Sequence, residues 1–181
     1  LTTENFKEQA IRAKNNGLQF ISTPLDMPSA VFLMEIVDAV KIASGDNTFY
    51  PLIEFVSESE KPIILSTGFA NEEQINFSAS LIEKNKSENN FHSHLALLHC
   101  VSAYPVKPED ANLSAIKELS MKFPRTPIGY SDHILGNEAA TLSVAAGAKI
   151  VEKHFTIDRN YSGFRDPQLS ADPSSMAELV T

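Results

Sequence analysis

Two short segments hold the residue types best suited to chemistry. Ser131-Asp132-His133 and Glu152-Lys153-His154 each bring an acid and a histidine to the end of an apolar run. A strand alternates faces with period two, so Ser131 shares a face with His133, and Glu152 with His154. If the runs are neighbouring parallel strands, both histidines lie at the sheet edge where open α/β sheets and barrels carry their active groups. Two imidazoles plus carboxylates on one rim could hold a divalent cation with open positions, a Lewis acid toward a carbonyl oxygen. A lone histidine is more often a satisfied structural group; two at this spacing favour the metal.

Other candidates sit at comparable places. Lys41 opens the KIAS run amid apolar residues; it is either a snorkelling surface lysine or an inward one that needs an anion. Ser44, Ser66 and Ser131 read singly as turn formers, but together with Lys41 they make a polar anion cradle. No Walker-type glycine loop is present, so ATP is not suggested. Glu152, inside an apolar strand, needs a partner, either a metal or a cation such as Lys41. Tyr104 before Pro105 either packs its loop or meets ligand. His92 and His94 precede the strand at 95–101, which assigns them to the opposite rim as solvated loop. His99 alternates against Cys100 and Ser102 and points to the helix layer, and Cys100 reads as a small buried apolar group.

The elements that must position these groups follow from periodicity. Phe6, Ala10, Ile11 and Ala13 give a helix over 4–16 that Gly17 ends. Strands are expected at 18–22, 39–43, 62–65, 95–101, 126–130 and 148–154. Helices are expected between them at 28–38, 48–57, from Asn71 to about Lys84, at 109–123, and in the Ala-rich stretch before Ala148. Asn71 with Gln74 resembles a capping box, Pro108 suits the first helical position, and Asp172-Pro173 opens a last helix. The tract at 84–94 reads as loop. Such βα alternation argues for an all-parallel sheet with right-handed crossovers. Successive strands end in STP, SGD, STG, SAYP, SDH and EKH, the loading of carboxyl ends that a (β/α)8 TIM barrel shows. Six βα units are visible, and a full barrel takes about 250 residues. Residues 1–181 are therefore expected to form a partial TIM-barrel catalytic domain whose two N-terminal units precede Leu1; a smaller open sheet is the alternative.

Composition narrows the partners. With 181 residues, 43% apolar content and a formal charge of −8, the chain can bury a sizeable core but offers no basic stripe for nucleic acid. One cysteine excludes an intramolecular disulfide framework and suits a reducing, cytoplasmic setting. No apolar run approaches the roughly 18 residues that span a bilayer.

The strand ends, taken together, resemble the sialic acid synthase (N-acetylneuraminate synthase) family, legionaminate- and pseudaminate-type synthases included. The matching pieces are STP at 22–24, KIASGD at 41–46, ILSTGFA at 64–70, LLHCVSAYP at 97–105, PEDANL at 108–113, GYSDH at 129–133, VEKHFTIDR at 151–159 and LSADP at 169–173. The resemblance implies a TIM barrel that condenses phosphoenolpyruvate with an N-acetylmannosamine-type aldehyde and releases phosphate, using Mn²⁺ or another divalent cation such as Mg²⁺ or Co²⁺. It implies metal ligation by His133 and His154. Lys41, Ser44, Ser66 and Ser131 become phosphoenolpyruvate contacts, with Thr23 and Ser102 as weaker members. Asp46, Tyr104 and Asp166 face the sugar, and Glu152 sits beside the reacting centre. The family often has glutamate in place of Asp46 and asparagine in place of Ser102, and its Gly-Pro-Asp-His turn stands here as Gly163-Phe164-Arg165-Asp166-Pro167. Its first two strands supply a further acid and lysine, and a C-terminal antifreeze-like domain completes a partner's pocket in a homodimer; this sequence contains neither part. The rival expectations are a related phosphoenolpyruvate aldol synthase for a shorter sugar phosphate, and a catalytically silent fragment that binds metal or ligand only.

Overall fold

A computed structural model describes residues 2–86 and 94–181. Most of the expected loop at 84–94, including His92, lies outside them. Two compact units divide the chain, one made of residues 1–66 and 70–96, the other of residues 67–69 and 97–181.

The first unit alternates helix and strand: α1 (Thr3–Asn15), β1 (Ile21–Ser22), α2 (Met27–Leu33), β2 (Ala39–Ile42), α3 (Tyr50–Ser57), β3 (Ile63–Ser66) and α4 (Glu72–Lys84). β1 pairs with β2, and β2 with β3, both parallel. Side chains that strands alone cannot cover are buried by helices, as Val40, Ile42, Leu52, Ile53, Val56, Ile63, Leu65 and Ile82 show, each at most 1% exposed. Each such burial is worth about 1.5–3 kcal/mol. Helix ends follow local chemistry. Asn71 and Gln74 form the expected capping box on α4, and Gly17 at φ +71 follows the last turn of α1, a conformation glycine adopts without a Cβ clash. α2 stops at Leu33, short of the expected 38. The chain tightens there, with Glu35 N bonded to Phe32 O and Ile36 N to Leu33 O, and Asp38 is left free to accept from Phe20 N through its carboxylate at 2.7 Å.

The second unit holds β4 from Leu97 onward (strand Leu95–Cys100), α5 (Ser114–Lys122), β5 (Ile128–Asp132), α6 (Glu138–Ala145), β6 (Val151–Lys153), α7 (Arg165–Leu169) and α8 (Pro173–Val180). β4 pairs with β5 and β5 with β6, again parallel. The helix expected at 109–123 is two pieces, a 3-10 turn at Pro108–Asp110 and α5. Asn112, at φ +44, separates them; asparagine tolerates the left-handed region better than other non-glycine residues. α7 is not among the helices expected from the sequence; its Pro167 falls in the first turn, where no N–H partner is needed. Among the described residues no helix is long and apolar enough to cross a membrane.

Candidate active site

The β5–β6 register puts Ser131 opposite Glu152 and Asp132 opposite Lys153. Carried one residue further, it brings His133 alongside His154, their ring centres 5.3 Å apart at 63°. Ser131 Oγ donates to Glu152 Oε1 at 2.9 Å, so that carboxylate is fixed on the same face as the two rings. Tyr104 lies over His133 at 4.2 Å between ring centres and meets His154 edge-on at 5.7 Å. Sequence reading treated Tyr104, Ser131, His133, Glu152 and His154 as candidates, and the second unit gathers all five.

The His133 imidazole is held by a hydrogen bond at Nδ1, and that of His154 faces a carboxylate beyond hydrogen-bond distance. His133 Nδ1 lies 3.0 Å from the Val101 carbonyl oxygen; a carbonyl only accepts, so Nδ1 carries the proton and the Nε2 lone pair is left for a ligand. Its backbone oxygen accepts from Val106 N at 2.9 Å. His154 Nδ1 sits 3.6 Å from Asp166 Oδ1, and its backbone oxygen accepts from Ala171 N at 2.8 Å. Ala171 belongs to the LSADP motif, whose task the sequence did not show. Burial pulls the His133 imidazole down, but the contacts to Cys100 and Val101 and the nearby Glu152 carboxylate outweigh it and leave it above its ordinary value. His154 goes the other way, lowered first by burial and then by His133. Burial, then Cys100, Asp166 and Glu152, raise the Tyr104 phenol.

Imidazole nitrogens bound to one ion at about 2.1 Å and roughly 90–110° apart place their ring centres about 4.5–5.5 Å from each other. The 5.3 Å separation therefore fits a shared cation, and the His133 Nδ1 bond to Val101 is the outer contact that metal-binding histidines use. Among the described residues no group of three or more His, Cys, Asp or Glu is arranged to hold a metal ion, so these histidines stand as a two-nitrogen set. Cys100 Sγ, 3.9 Å from both His133 Nδ1 and Ser102 Oγ, is a neighbour that the sequence reading set aside as packing. A cavity of about 500 Å³ opens between Tyr104 and the segment Gly163, Phe164, Arg165 and Asp166.

The remaining candidates belong to the first unit. Lys41 is 8% exposed, with Nζ donating to Ile42 O at 3.3 Å. Ser44 Oγ and Ser66 Oγ are buried without a hydrogen-bond partner, an expensive condition for a hydroxyl unless a ligand supplies one. Asn47, which the sequence reading passed over, is 3% exposed. Its amide donates to Ser66 O at 3.1 Å, while its backbone oxygen accepts from Ser78 Oγ at 2.6 Å. Thr23 and Asp46 lie half-buried in the segments after β1 and β2. His94 is 3.6 Å from Glu60, and His99 stacks on Tyr130 at 5.7 Å with Nε2 2.9 Å from Ala111 O.

The chain is similar to known proteins along its whole length. The model described as "NeuB family" matches residues 1–181. A Methanocaldococcus jannaschii protein, MJ1065, is 47% identical over 99% of this chain and 52% of its own length. An N,N'-diacetyllegionaminic acid synthase of Legionella pneumophila is 38% identical over 93% of this chain and 47% of its own. The solved structure of an N-acetylneuraminic acid (sialic acid) synthetase from Leptospira borgpetersenii superposes with a TM-score of 0.92 at 41% identity, over 99% of this chain and 61% of that one. The chain thus spans about half the length of the curated relatives it matches, and its six βα units are those of barrel-type synthases. Matched from end to end by the family model, the chain belongs to the NeuB family.

Proposed function

We propose that this chain is part of an enzyme that condenses phosphoenolpyruvate with an N-acetylmannosamine-type aldehyde, giving a nonulosonic acid and inorganic phosphate. The observation that carries the reading is the His133–His154 pair, 5.3 Å apart with each Nδ1 turned to an outer partner. Mn²⁺ or a similar divalent ion held by the two Nε2 atoms would act as a Lewis acid on the aldehyde oxygen. Val101 and Asp166 keep the rings aimed, and Tyr104 shields His133 from solvent on one side. Tyr104, Phe164, Arg165 and Asp166 line the volume of about 500 Å³ that suits the sugar.

C3 of phosphoenolpyruvate attacks the aldehyde carbon, and positive charge develops at C2. Glu152, its carboxylate fixed by Ser131, stabilises that charge. Water then adds to C2, and the C2–O bond to phosphate breaks. For the carboxylate and phosphate of phosphoenolpyruvate, Lys41 supplies an ammonium group, and Ser44 and Ser66 supply hydroxyls that have no acceptor of their own. Thr23 and Ser102 add further hydroxyls, and Asp46 contacts the sugar.

The test is phosphate release from phosphoenolpyruvate plus N-acetylmannosamine by the full-length gene product. Release should require Mn²⁺ and fall at least about 100-fold in His133→Ala and His154→Ala. Turnover that survives both substitutions, or no release with any N-acylated aldehyde sugar, overturns the reading. The two-nitrogen set among the described residues favours a second reading for the polypeptide as it stands, namely ligand binding without turnover.

A further inference from the structure

The reverse face of β5 and β6 carries a different set of groups. Asp132 and Lys153 are opposite each other in the register, and their side chains meet at 2.6 Å with 0% and 2% exposed. Asp132 Oδ1 accepts from Ile134 N at 2.9 Å, and Lys153 Nζ donates to Ile134 O at 2.6 Å. The Tyr130 phenol adds a hydrogen bond to Asp132. The residues on either side of His133 are therefore both tied to Lys153, which itself precedes His154.

Stability alone is a poor reason for such an arrangement. Two charges removed from water bear a desolvation cost that their attraction only partly returns, and apolar pairs of similar volume are often at least as stable. What an ion pair adds is a single allowed alignment. A one-residue slip of β6 against β5 would turn every side chain to the other face and would leave Asp132 and Lys153 buried without each other. An apolar pair would tolerate that slip far better.

We propose that Asp132 and Lys153, with the Ile134 backbone, form a clamp that sets His133 against His154; both are positioning residues. The proposal builds on the metal-site reading, but it concerns ring placement, which can be measured without metal. The experiment compares the wild-type chain with Asp132→Leu/Lys153→Met, which replaces the pair by apolar groups, and with Asp132→Glu, which keeps the charge and lengthens the arm. Thermal melts are recorded with the nuclear Overhauser contacts among the ring protons of Tyr104, His133 and His154 in metal-free protein, followed by titration with Mn²⁺ alone.

The wild type should show the His133–His154 contact. In both variants a cooperative melt should persist while that contact disappears and Mn²⁺ binds about tenfold more weakly. A folded double variant that keeps the ring contact and the wild-type Mn²⁺ titration overturns the clamp. Failure of both variants to fold also overturns it, since the pair is then general support rather than a positioning device. A wild type with the ring contact but no Mn²⁺ binding would count against the metal reading, while loss of the contact in the variants would still support the clamp.

Discussion

His133 is fixed from three directions, by Val101 at its Nδ1, Val106 at its backbone oxygen and the Tyr104 ring over its face. His154 has a looser outer partner, Asp166 at 3.6 Å. Removing that partner should therefore show. Asp166→Asn is expected to weaken Mn²⁺ binding about 10–100-fold, measured by titration against the parent protein, with little change in the melting temperature because Asp166 is more than half exposed. His99 offers a test of a different kind. Burial holds its imidazole below the ordinary value of 6.5 despite the bond to Ala111. The unfolded chain then takes up the proton first, so the contribution of His99 is full above about pH 6.5 and is lost as pH falls through the lowered folded value. Melting temperatures between pH 8 and pH 5 should fall less steeply in His99→Gln than in the parent. The candidate face was legible in the sequence because period two alone separates Ser131 and His133 from Asp132. The Asp132–Lys153 contact was not, since nothing in the order of residues says which charges on the far face meet. The same holds for Cys100, whose nearness to His133 comes from the β4–β5 register.

At the scale of elements, β5 depends on its lack of a side chain at Gly129. A Cβ there would stand 2.5 Å from both Ile150 O and Leu98 Cδ2, and the first is backbone that cannot swing aside. Gly129→Ala is expected to destabilise by about 1–3 kcal/mol or more, read from urea unfolding, and to disturb the histidines that β5 and β6 carry. Strands were easier to foresee than helix ends. The apolar runs that became β2, β3 and β4 are short, bounded and unbroken, and Asn71, Asp172 and Gly17 mark termini through capping that needs only neighbouring residues. The failures are where tertiary contacts win: α2 gives up its last turn to the Asp38–Phe20 contact, and Asn112 interrupts what periodicity reads as one helix.

For the molecule as a whole, the chain covers about half the length of the curated relatives it matches. The purified 181-residue chain should give negligible product from phosphoenolpyruvate and N-acetylmannosamine, and product formation at the rate of the full-length protein would contradict this. β1 and β6 each have one described neighbour, and Leu18 and Ile21 are 65% and 42% exposed beside β1. Unpaired strand edges with apolar flanks invite association, so light scattering should show mass rising with concentration. The division of labour between the two faces of β5 and β6 reaches further. Odd-numbered insertions or deletions between Gly129 and Asp132, or between Val151 and Lys153, would exchange chemical and supporting side chains wholesale. Changes of length among related sequences should therefore collect in segments such as 155–164, leaving the border of the cavity beside Tyr104 free to vary in length while the strands that lead into the two histidines keep theirs.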